Sequence, residues 1–170
     1  GMMSQNGHPQ SGATRTGYMP VDMSTALNSA FAISAALYRK ATTGEGQYID
    51  IAMLDTAIIM QASQFSNYFN QSTVIGLRGN ASPTGKPTAD VFPTMNGHIQ
   101  ITALRQPQVE KLFTELGLKQ MLEDTKFATT DSRINHPQEI FDAMSQALNR
   151  QTTQAGMKQL APAGIPVAEV

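Results

Sequence analysis

One carboxylate near the start of the chain has the setting of a chemically active group. Asp22 is the only acidic residue in the first 44, it follows Pro20, and an uncharged stretch runs from Met23 to Tyr38. Asp is a good N-cap residue because its side chain accepts a backbone N–H of the first helical turn. The same surroundings suit a carboxylate held ionised at a helix N-terminus and used as a nucleophile or base. The residues alone favour the cap, and both interpretations stay open at this point.

Other polar residues have ordinary structural interpretations. Asp50 is predicted on the polar face of a strand, Asp55 as a helix N-cap and Arg105 in a solvated loop. His98 is predicted to be exposed, and His136 to cap a helix. With His8, the three isolated histidines show no metal-ligand spacing, so no metal site is expected.

Composition excludes several classes of function. The chain has 170 residues, no cysteine and a net charge of −1, which excludes disulfides, cysteine nucleophiles and a strongly basic nucleic-acid-binding surface. No dinucleotide-binding, P-loop or serine-hydrolase fingerprint is present. No apolar run reaches the length of a membrane span, and no signal peptide is visible. We therefore expect a cytoplasmic protein without a nucleic-acid or membrane partner.

Charge is distributed unevenly along the chain. Residues 1–80 hold 8 charged residues, whereas residues 81–170 hold 17. Small domains normally carry charge over their whole outside, so the poorly charged first half is expected to lie against other protein.

Periodicity and turn residues predict a mixed α+β fold. The predicted order is an extended segment 1–20, a helix 22–42, a strand 47–53, a helix 54–70, a loop 71–90, a hairpin of 91–94 and 98–103 around Asn96-Gly97, helices 106–116, 136–150 and 152–160, and a strand 165–170. The hairpin sheet is expected to be covered by the later helices.

Four stretches together resemble one family, the family III CoA-transferases, which include formyl-CoA transferase, carnitine CoA-transferase and α-methylacyl-CoA racemase. They are GMMS with Gly7 and GYMPVD within 1–22; LY at 37–38 with TGEGQYIDIAMLD at 43–55; GN at 79–80 with VFPT at 91–94 and NG at 96–97; and FAT at 127–129 with Arg133 and GIPV at 164–167. Their order and spacing cover nearly the whole chain.

The resemblance implies a function for Asp22. In this family the matching aspartate attacks an acyl-CoA thioester and forms an aspartyl–acyl anhydride, and then an aspartyl–CoA thioester from which CoA passes to a second carboxylic acid. CoA is thus a co-substrate, and no covalently bound cofactor is implied. Gly79 and Asn80 match the loop that covers the substrate, while the glycine-poor stretch 81–90 argues against oxalate and formate as substrates. Which residues bind CoA is not predicted.

The resemblance also implies a domain organisation. Residues 1–70 match the catalytic-aspartate segment and helices at the edge of a Rossmann-like large domain and its linker, and 91–170 match a small α/β domain. The family's CoA-binding portion precedes the segment equivalent to Gly1, and family members form interlocked dimers. We therefore expect a homo-oligomer, with an interface that includes Phe31, Ile33, Leu37, Ile58 and Phe65.

Two further hypotheses remain. In the racemase branch of the family, a histidine ahead of the aspartate acts as its partner base, so Asp22 would be one of two acid/base groups. Alternatively, the 170 residues alone form a catalytically inactive truncated module that self-associates.

Overall fold

Helix α1, Pro20–Thr43, is the longest element of the computed structural model, which describes residues 1–170. It begins with proline at its first position and ends at Gly44, which adopts a left-handed conformation with φ of 77° and donates its N–H to the Lys40 carbonyl. Proline is favoured at the first helical position and glycine just beyond the last, so both ends follow from the sequence.

The chain divides into two compact units, 1–79 and 80–170. The first unit contains a short 3-10 helix, a two-stranded antiparallel ribbon and three helices. Their bounds are Met2–Gln5 for the 3-10 helix, Gly7–His8 for β1, Gly12–Ala13 for β2, Pro20–Thr43 for α1, Met53–Met60 for α2 and Ala62–Gln71 for α3.

Within the first unit, the sequence predictions need three corrections. The segment 1–20, predicted as extended, contains the 3-10 helix and the ribbon. The predicted strand 47–53 is not formed: residues 45–52 belong to no helix or strand, and α2 begins at Met53. The predicted helix 54–70 is interrupted at Gln61, which separates α2 from α3. Alternation of polar and apolar residues describes an extended chain, but a strand also needs a hydrogen-bonding partner.

The first unit has no hydrophobic core of its own. Its only buried residue is Thr56, whose hydroxyl accepts a hydrogen bond from the Asn28 amide at 3.3 Å and so joins α2 to α1. Large apolar side chains on all three helices are exposed, among them Phe31 with 76% of its surface accessible. Exposed apolar faces of this extent are typical of interaction surfaces.

The second unit contains a three-stranded antiparallel sheet of order β3-β4-β5 and a set of helices. The bounds are Ala89–Thr94 for β3, Gly97–Thr102 for β4, Gln106–Glu115 for α4, Lys119–Glu123 for a 3-10 helix, Thr130–Ile134 for α5, Pro137–Leu148 for α6, Thr153–Leu160 for α7 and Val167–Glu169 for β5. The predicted hairpin, the helices 106–116, 136–150 and 152–160, and the last strand are confirmed with small changes of bounds. The 3-10 helix and α5 were not predicted.

The core lies in this second unit. On β4 the buried Ile99 and Ile101 alternate with the exposed His98 and Gln100, as expected for a sheet with one covered face. The helices bury matching faces, of which the clearest is the i, i+4, i+8 series Ile140, Met144 and Leu148 on α6. The predicted mixed α+β class, with a small antiparallel sheet covered by helices, is confirmed. None of the helices is both long and apolar enough to cross a lipid bilayer.

Candidate active site

Asp22 lies at the third position of α1, within the first turn of the helix. The N-cap residue is Met19, which makes no side-chain capping bond, so the interpretation of Asp22 as an N-cap is wrong. The Asp22 side chain is exposed and has no hydrogen-bond or ion-pair partner in the chain. The helix N-terminus carries a partial positive charge that stabilises a carboxylate in the first turn. The carboxylate is therefore free to meet a ligand.

The backbone around Asp22 also has unused donors. Pro20 has no N–H, and the first backbone hydrogen bond of the helix runs from the Met23 N–H to the Met19 carbonyl. The N–H groups of Val21 and Asp22 consequently have no backbone acceptor. A carboxylate and two peptide N–H groups thus lie together at one helix end.

This helix end opens on a cleft of about 320 Å³ that lies wholly within the first unit. Its lining residues are Met2, Met3, Asn6, Thr14, Arg15, Thr16, Tyr18, Met19, Pro20, Val21 and Asp22. Arg15 and Asp22 are the only charged side chains in this set. The volume falls at the lower end of the range for small-molecule sites, which is roughly 300–1,000 Å³.

A second helix in the chain shows what a purely structural acid at this position looks like. Helix α6 also begins with proline, Pro137, and also has an acid at its third position, Glu139. Glu139 accepts a hydrogen bond from His136 Nδ1 at 2.8 Å and lies 3.4 Å from the Lys126 ammonium. The hydrogen bond from His136 lowers the pKa of the Glu139 carboxyl, which Lys126 lowers further. Asp22 has the same helical position but no such partners.

Gly79 is held against the ribbon, whose flanking residues Asn6 and Thr14 line the cleft. Its N–H donates to the Gly7 carbonyl at 2.9 Å, next to the cleft residue Asn6. Its φ is 63°, and a Cβ added there would come within 2.4 Å of His8 Nδ1, so only glycine fits without a shift. Gly79 does not itself line the cleft. Asn80 is exposed and begins the second unit.

The remaining candidates from the sequence do not form a site. Asp50 is not on a strand, and Asp55 occupies the third position of α2, whose N-cap is Ala52, so both predictions are wrong in detail. His98 is exposed, as predicted. His136 is the N-cap residue of α6 but makes no capping bond and instead contacts Glu139. No group of three or more acidic or histidine side chains lies close enough to hold a metal ion.

Sequence reasoning missed Arg15 and Tyr18 as cleft residues. A signal was present for Arg15, because it and Asp22 are the only two formal charges in residues 1–38. Tyr18 carries no comparable signal, since its place in the cleft follows from the turn that leads into α1.

Comparison with known proteins decides the family. The family model described as CoA-transferase family III matches residues 1–170.

The chain belongs to CoA-transferase family III.

Curated relatives in this family are CoA-transferases of several organic acids. The chain is 32% identical over 145 residues to the succinate–glutarate CoA-transferase of Agrobacterium fabrum, which covers 85% of this chain and 36% of that protein. It is 24% identical over its whole length to the human succinyl-CoA:glutarate CoA-transferase, of which it covers 39%. The chain therefore spans less than two fifths of the length of these two relatives.

Solved structures show the same fold. A CAIB/BAIF family protein from Brucella suis matches with a TM-score of 0.76 at 28% identity, over 98% of this chain and 44% of the other. A Mycobacterium tuberculosis protein in an orthorhombic crystal form matches with a TM-score of 0.84 at 25% identity, over 100% of this chain and 44% of the other.

Two stretches that resemble family III CoA-transferases have structural tasks here. After Gly44 ends α1, Arg39 donates to Glu45 Oε2 at 2.8 Å and to Gln47 Oε1 at 3.1 Å, which fixes the path of the chain beyond the helix. In the second unit, Arg133 is 2% exposed and donates to the Phe127 carbonyl at 2.6 Å. Burial lowers the pKa of the Arg133 guanidinium. These residues build the fold and do not line the cleft.

Proposed function

We propose that the protein containing this chain transfers CoA between an acyl-CoA and a carboxylic acid, with Asp22 as the nucleophile. The observation that carries the proposal is the unpartnered Asp22 carboxylate, which lines a cleft at the N-terminus of α1. Membership of CoA-transferase family III supports the reaction class.

The proposed reaction starts when an Asp22 oxygen attacks the thioester carbonyl. A C–O bond forms, the C–S bond breaks, and CoA leaves as a thiolate, which leaves a mixed anhydride on Asp22. The thiolate then attacks the Asp22 carbonyl carbon, which releases the first acid as a carboxylate and forms an aspartyl–CoA thioester. The acceptor carboxylate displaces CoA from this thioester, and the thiolate finally attacks the acceptor's carbonyl in the new anhydride. New acyl-CoA and the Asp22 carboxylate result, and no proton is gained or lost overall.

The free N–H groups of Val21 and Asp22 suit this chemistry. Each addition step places negative charge on a carbonyl oxygen, and preorganised backbone donors stabilise such an oxyanion. Their position at the start of α1 adds the partial positive charge of the helix end. These donors have no competing acceptor in the backbone, so they need not be released before the reaction.

We propose that Gly79 and Asn80 belong to a loop that covers the intermediates. An anhydride and a thioester are both lost to water, so exclusion of solvent favours transfer over hydrolysis. Residues 72–88 form no helix or strand, and Gly79 donates its N–H to the carbonyl of Gly7, which is next to the cleft residue Asn6. The fixed glycine would thus anchor a covering segment at the ribbon.

We propose short dicarboxylic acids as substrates and CoA as the co-substrate. The names of relatives include succinate, glutarate, mesaconate and citramalate, all of which carry two carboxyl groups. The carnitine CoA-transferase of Proteus mirabilis also matches, so the family name alone does not fix this choice.

We further propose a homodimeric, cytoplasmic protein in which additional protein covers the helices of the first unit. Phe31, Ile33, Leu37, Ile58 and Phe65 are all exposed in this chain. At roughly 25 cal/mol per Å² of apolar surface, leaving several hundred Å² uncovered costs several kcal/mol. The CoA-binding residues belong to this proposed remainder or partner.

The nucleophile proposal is tested with Asp22→Asn in the protein expressed from its complete gene. We expect loss of CoA transfer by several orders of magnitude, because the amide neither attacks the thioester nor forms an anhydride. Glu139→Gln is the matched control, an acid at the same helical position that is outside the cleft, and it should retain transfer. Substantial transfer by Asp22→Asn contradicts the proposal.

A second measurement separates transfer from racemisation. Incubation with an α-methylacyl-CoA in heavy water should leave the α-hydrogen unexchanged while CoA passes to an added acid. Exchange at the α-carbon without CoA transfer contradicts the transferase proposal and supports the racemase.

A further inference from the structure

Arg15 is an exposed arginine that lines the same cleft as Asp22. Its guanidinium makes no hydrogen bond or ion pair within the chain, although Asp22 lines the same cleft. By contrast, Arg39 and Arg133, which build the fold, each make at least two side-chain hydrogen bonds. Arg15 also has no neighbouring acid other than Asp22 in the lining.

Two of the four uncharged polar side chains of the cleft are committed to the backbone. Asn6 donates its amide to the Thr14 carbonyl at 2.6 Å, and Thr16 donates its hydroxyl to the Tyr18 carbonyl at 2.9 Å. The guanidinium is therefore the strongest uncommitted side-chain donor in the cleft. A free guanidinium offers paired N–H groups in a planar fork that matches a carboxylate.

The charge on Asp22 changes during the proposed reaction, whereas that on Arg15 does not. This step rests on the proposed function. Asp22 carries a negative charge at rest, but its anhydride and its CoA thioester are both neutral. Arg15 is then the only charged side chain in the cleft lining, at the stage when solvent has to be excluded. The charge of Asp22 passes to the CoA thiolate and then to a free carboxylate, so the lining no longer holds an anion beside Arg15, and the guanidinium is available to a second carboxylate on the acyl group.

We propose that Arg15 binds the distal carboxylate of a dicarboxylic acyl group and selects diacids over monoacids. The reacting carbonyl lies at Asp22, and the second carboxylate pairs with Arg15, which precedes Asp22 by seven residues and lines the same cleft. Met2, Met3 and Met19 supply apolar contacts for the short methylene chain between them.

A phosphate of CoA is the other anion that a free arginine can bind. The phosphates are separated from the thioester by the long pantetheine arm. When the thioester lies at Asp22, an extended pantetheine arm carries the phosphates away from the cleft that Arg15 lines. The geometry therefore favours the carboxylate of the acyl group.

The test compares acceptors in the protein expressed from its complete gene. Succinate and butyrate, or glutarate and valerate, differ chiefly in the distal carboxylate. The kcat/KM ratio of diacid over monoacid is measured with one CoA donor, so that effects on the donor half cancel. We expect Arg15→Gln to lower this ratio by roughly tenfold to a hundredfold, the range for hydrogen bonds to a charged group. Arg15→Lys should keep part of the preference because the charge remains but the fork is lost.

Two further variants test whether the change in the ratio is specific to the charge of Arg15. Arg150→Gln removes an exposed arginine of the second unit and should leave the ratio unchanged. Arg15→Glu should shift the preference toward an acid with a distal ammonium group, such as 4-aminobutyrate, because the charge is reversed. A variant with a damaged fold would not gain activity toward 4-aminobutyrate.

The outcomes distinguish this proposal from that on Asp22. An unchanged ratio in Arg15→Gln, equal losses for diacid and monoacid, or a higher KM for the CoA donor alone would overturn the proposal on Arg15. A wild-type protein without preference for diacids would overturn it as well. Transfer retained by Asp22→Asn would contradict the nucleophile, whereas the effect of Arg15 on the acceptor ratio would still be measurable. If Arg15→Gln does not fold, the diacid-to-monoacid ratio is compared between wild type and Arg15→Lys, for which a partial loss of the preference is expected.

Discussion

Removal of the buried guanidinium of Arg133 should destabilise the second unit by a measurable amount. Arg133 donates to the Phe127 carbonyl and to Gln106 Oε1, each at 2.6 Å, and to Thr130 Oγ1 at 3.3 Å. It thereby ties the segment before α5 to the start of α4. Two strong hydrogen bonds from a charged group contribute roughly 1.5–3 kcal/mol each.

The burial of the charge offsets part of this stabilisation. Desolvation lowers the pKa of Arg133, so the fold bears a cost for keeping the cation inside. Arg133→Met removes that cost together with the hydrogen bonds, so we expect the free energy of unfolding to fall by about 2–4 kcal/mol. Arg133→Lys keeps the charge but cannot bridge Phe127 and Gln106 with a planar fork, and should cost at least as much.

Amide hydrogen exchange of Ile99 and Ile101 reports this change, because both lie on the central strand β4 with fully buried side chains. Urea unfolding followed by circular dichroism gives an independent value. Arg150→Met, at an exposed arginine without a hydrogen-bond partner, should change stability by less than about 0.5 kcal/mol. A loss below about 1 kcal/mol in Arg133→Met would refute the assignment of Arg133 as a stabilising clamp.

Three further outcomes are expected. Gly79→Ala should destabilise the ribbon, since its Cβ meets His8 Nδ1 at 2.4 Å. Adding His8→Ala should relieve this clash but not the energetic cost of the positive φ at residue 79. Equal hydrogen-exchange rates of the ribbon amides in wild type and Gly79→Ala would contradict this prediction. Because the pKa of Glu139 is lowered in the folded chain, its carboxylate contributes stability above the ordinary pKa of a glutamate, and this stability is lost as the pH falls through the lowered pKa. NMR titration should show a higher Glu139 pKa in His136→Ala than in wild type. An unchanged pKa would exclude the hydrogen bond from His136 as the cause. The 170-residue chain should scatter light as a dimer or larger at micromolar concentration, and Phe31→Glu should shift it toward monomer, whereas a monomeric wild type would contradict the proposed self-association.

The fold of the second unit followed largely from local sequence signals. The Asn96-Gly97 pair between two short strand-like stretches predicted a hairpin of 91–94 and 98–103, and the structure confirms an antiparallel pair of strands there. The turn itself is shifted by one residue from the prediction: Met95 and Asn96 form it, neither with a positive φ, and Gly97 pairs with Thr94. Asn96 instead uses its side-chain oxygen to accept the Thr153 N–H at 2.9 Å. No local sequence pattern predicts this tertiary contact to α7.

The first unit was harder to predict because its packing is not local. The stretch 47–53 has the alternation of a half-buried strand, but no strand in this chain pairs with it. Asp22 is a residue type typical of an N-cap, but α1 begins two residues earlier, at Pro20. The Asp22 carboxylate therefore lies inside the first turn. The cleft was predictable only in part, since Arg15 reaches it through the fold of the ribbon.

Transfer of labelled oxygen to Asp22 tests the central claim most directly. In the proposed reaction, the acceptor carboxylate supplies the bridging oxygen of the second anhydride, and attack of the thiolate on the acyl carbon leaves that oxygen on Asp22. Turnover with a heavy-oxygen-labelled acceptor acid, followed by digestion and mass spectrometry, should therefore place the label on the peptide that contains Asp22 and not on the one that contains Glu139. Active turnover that leaves Asp22 unlabelled would contradict the account.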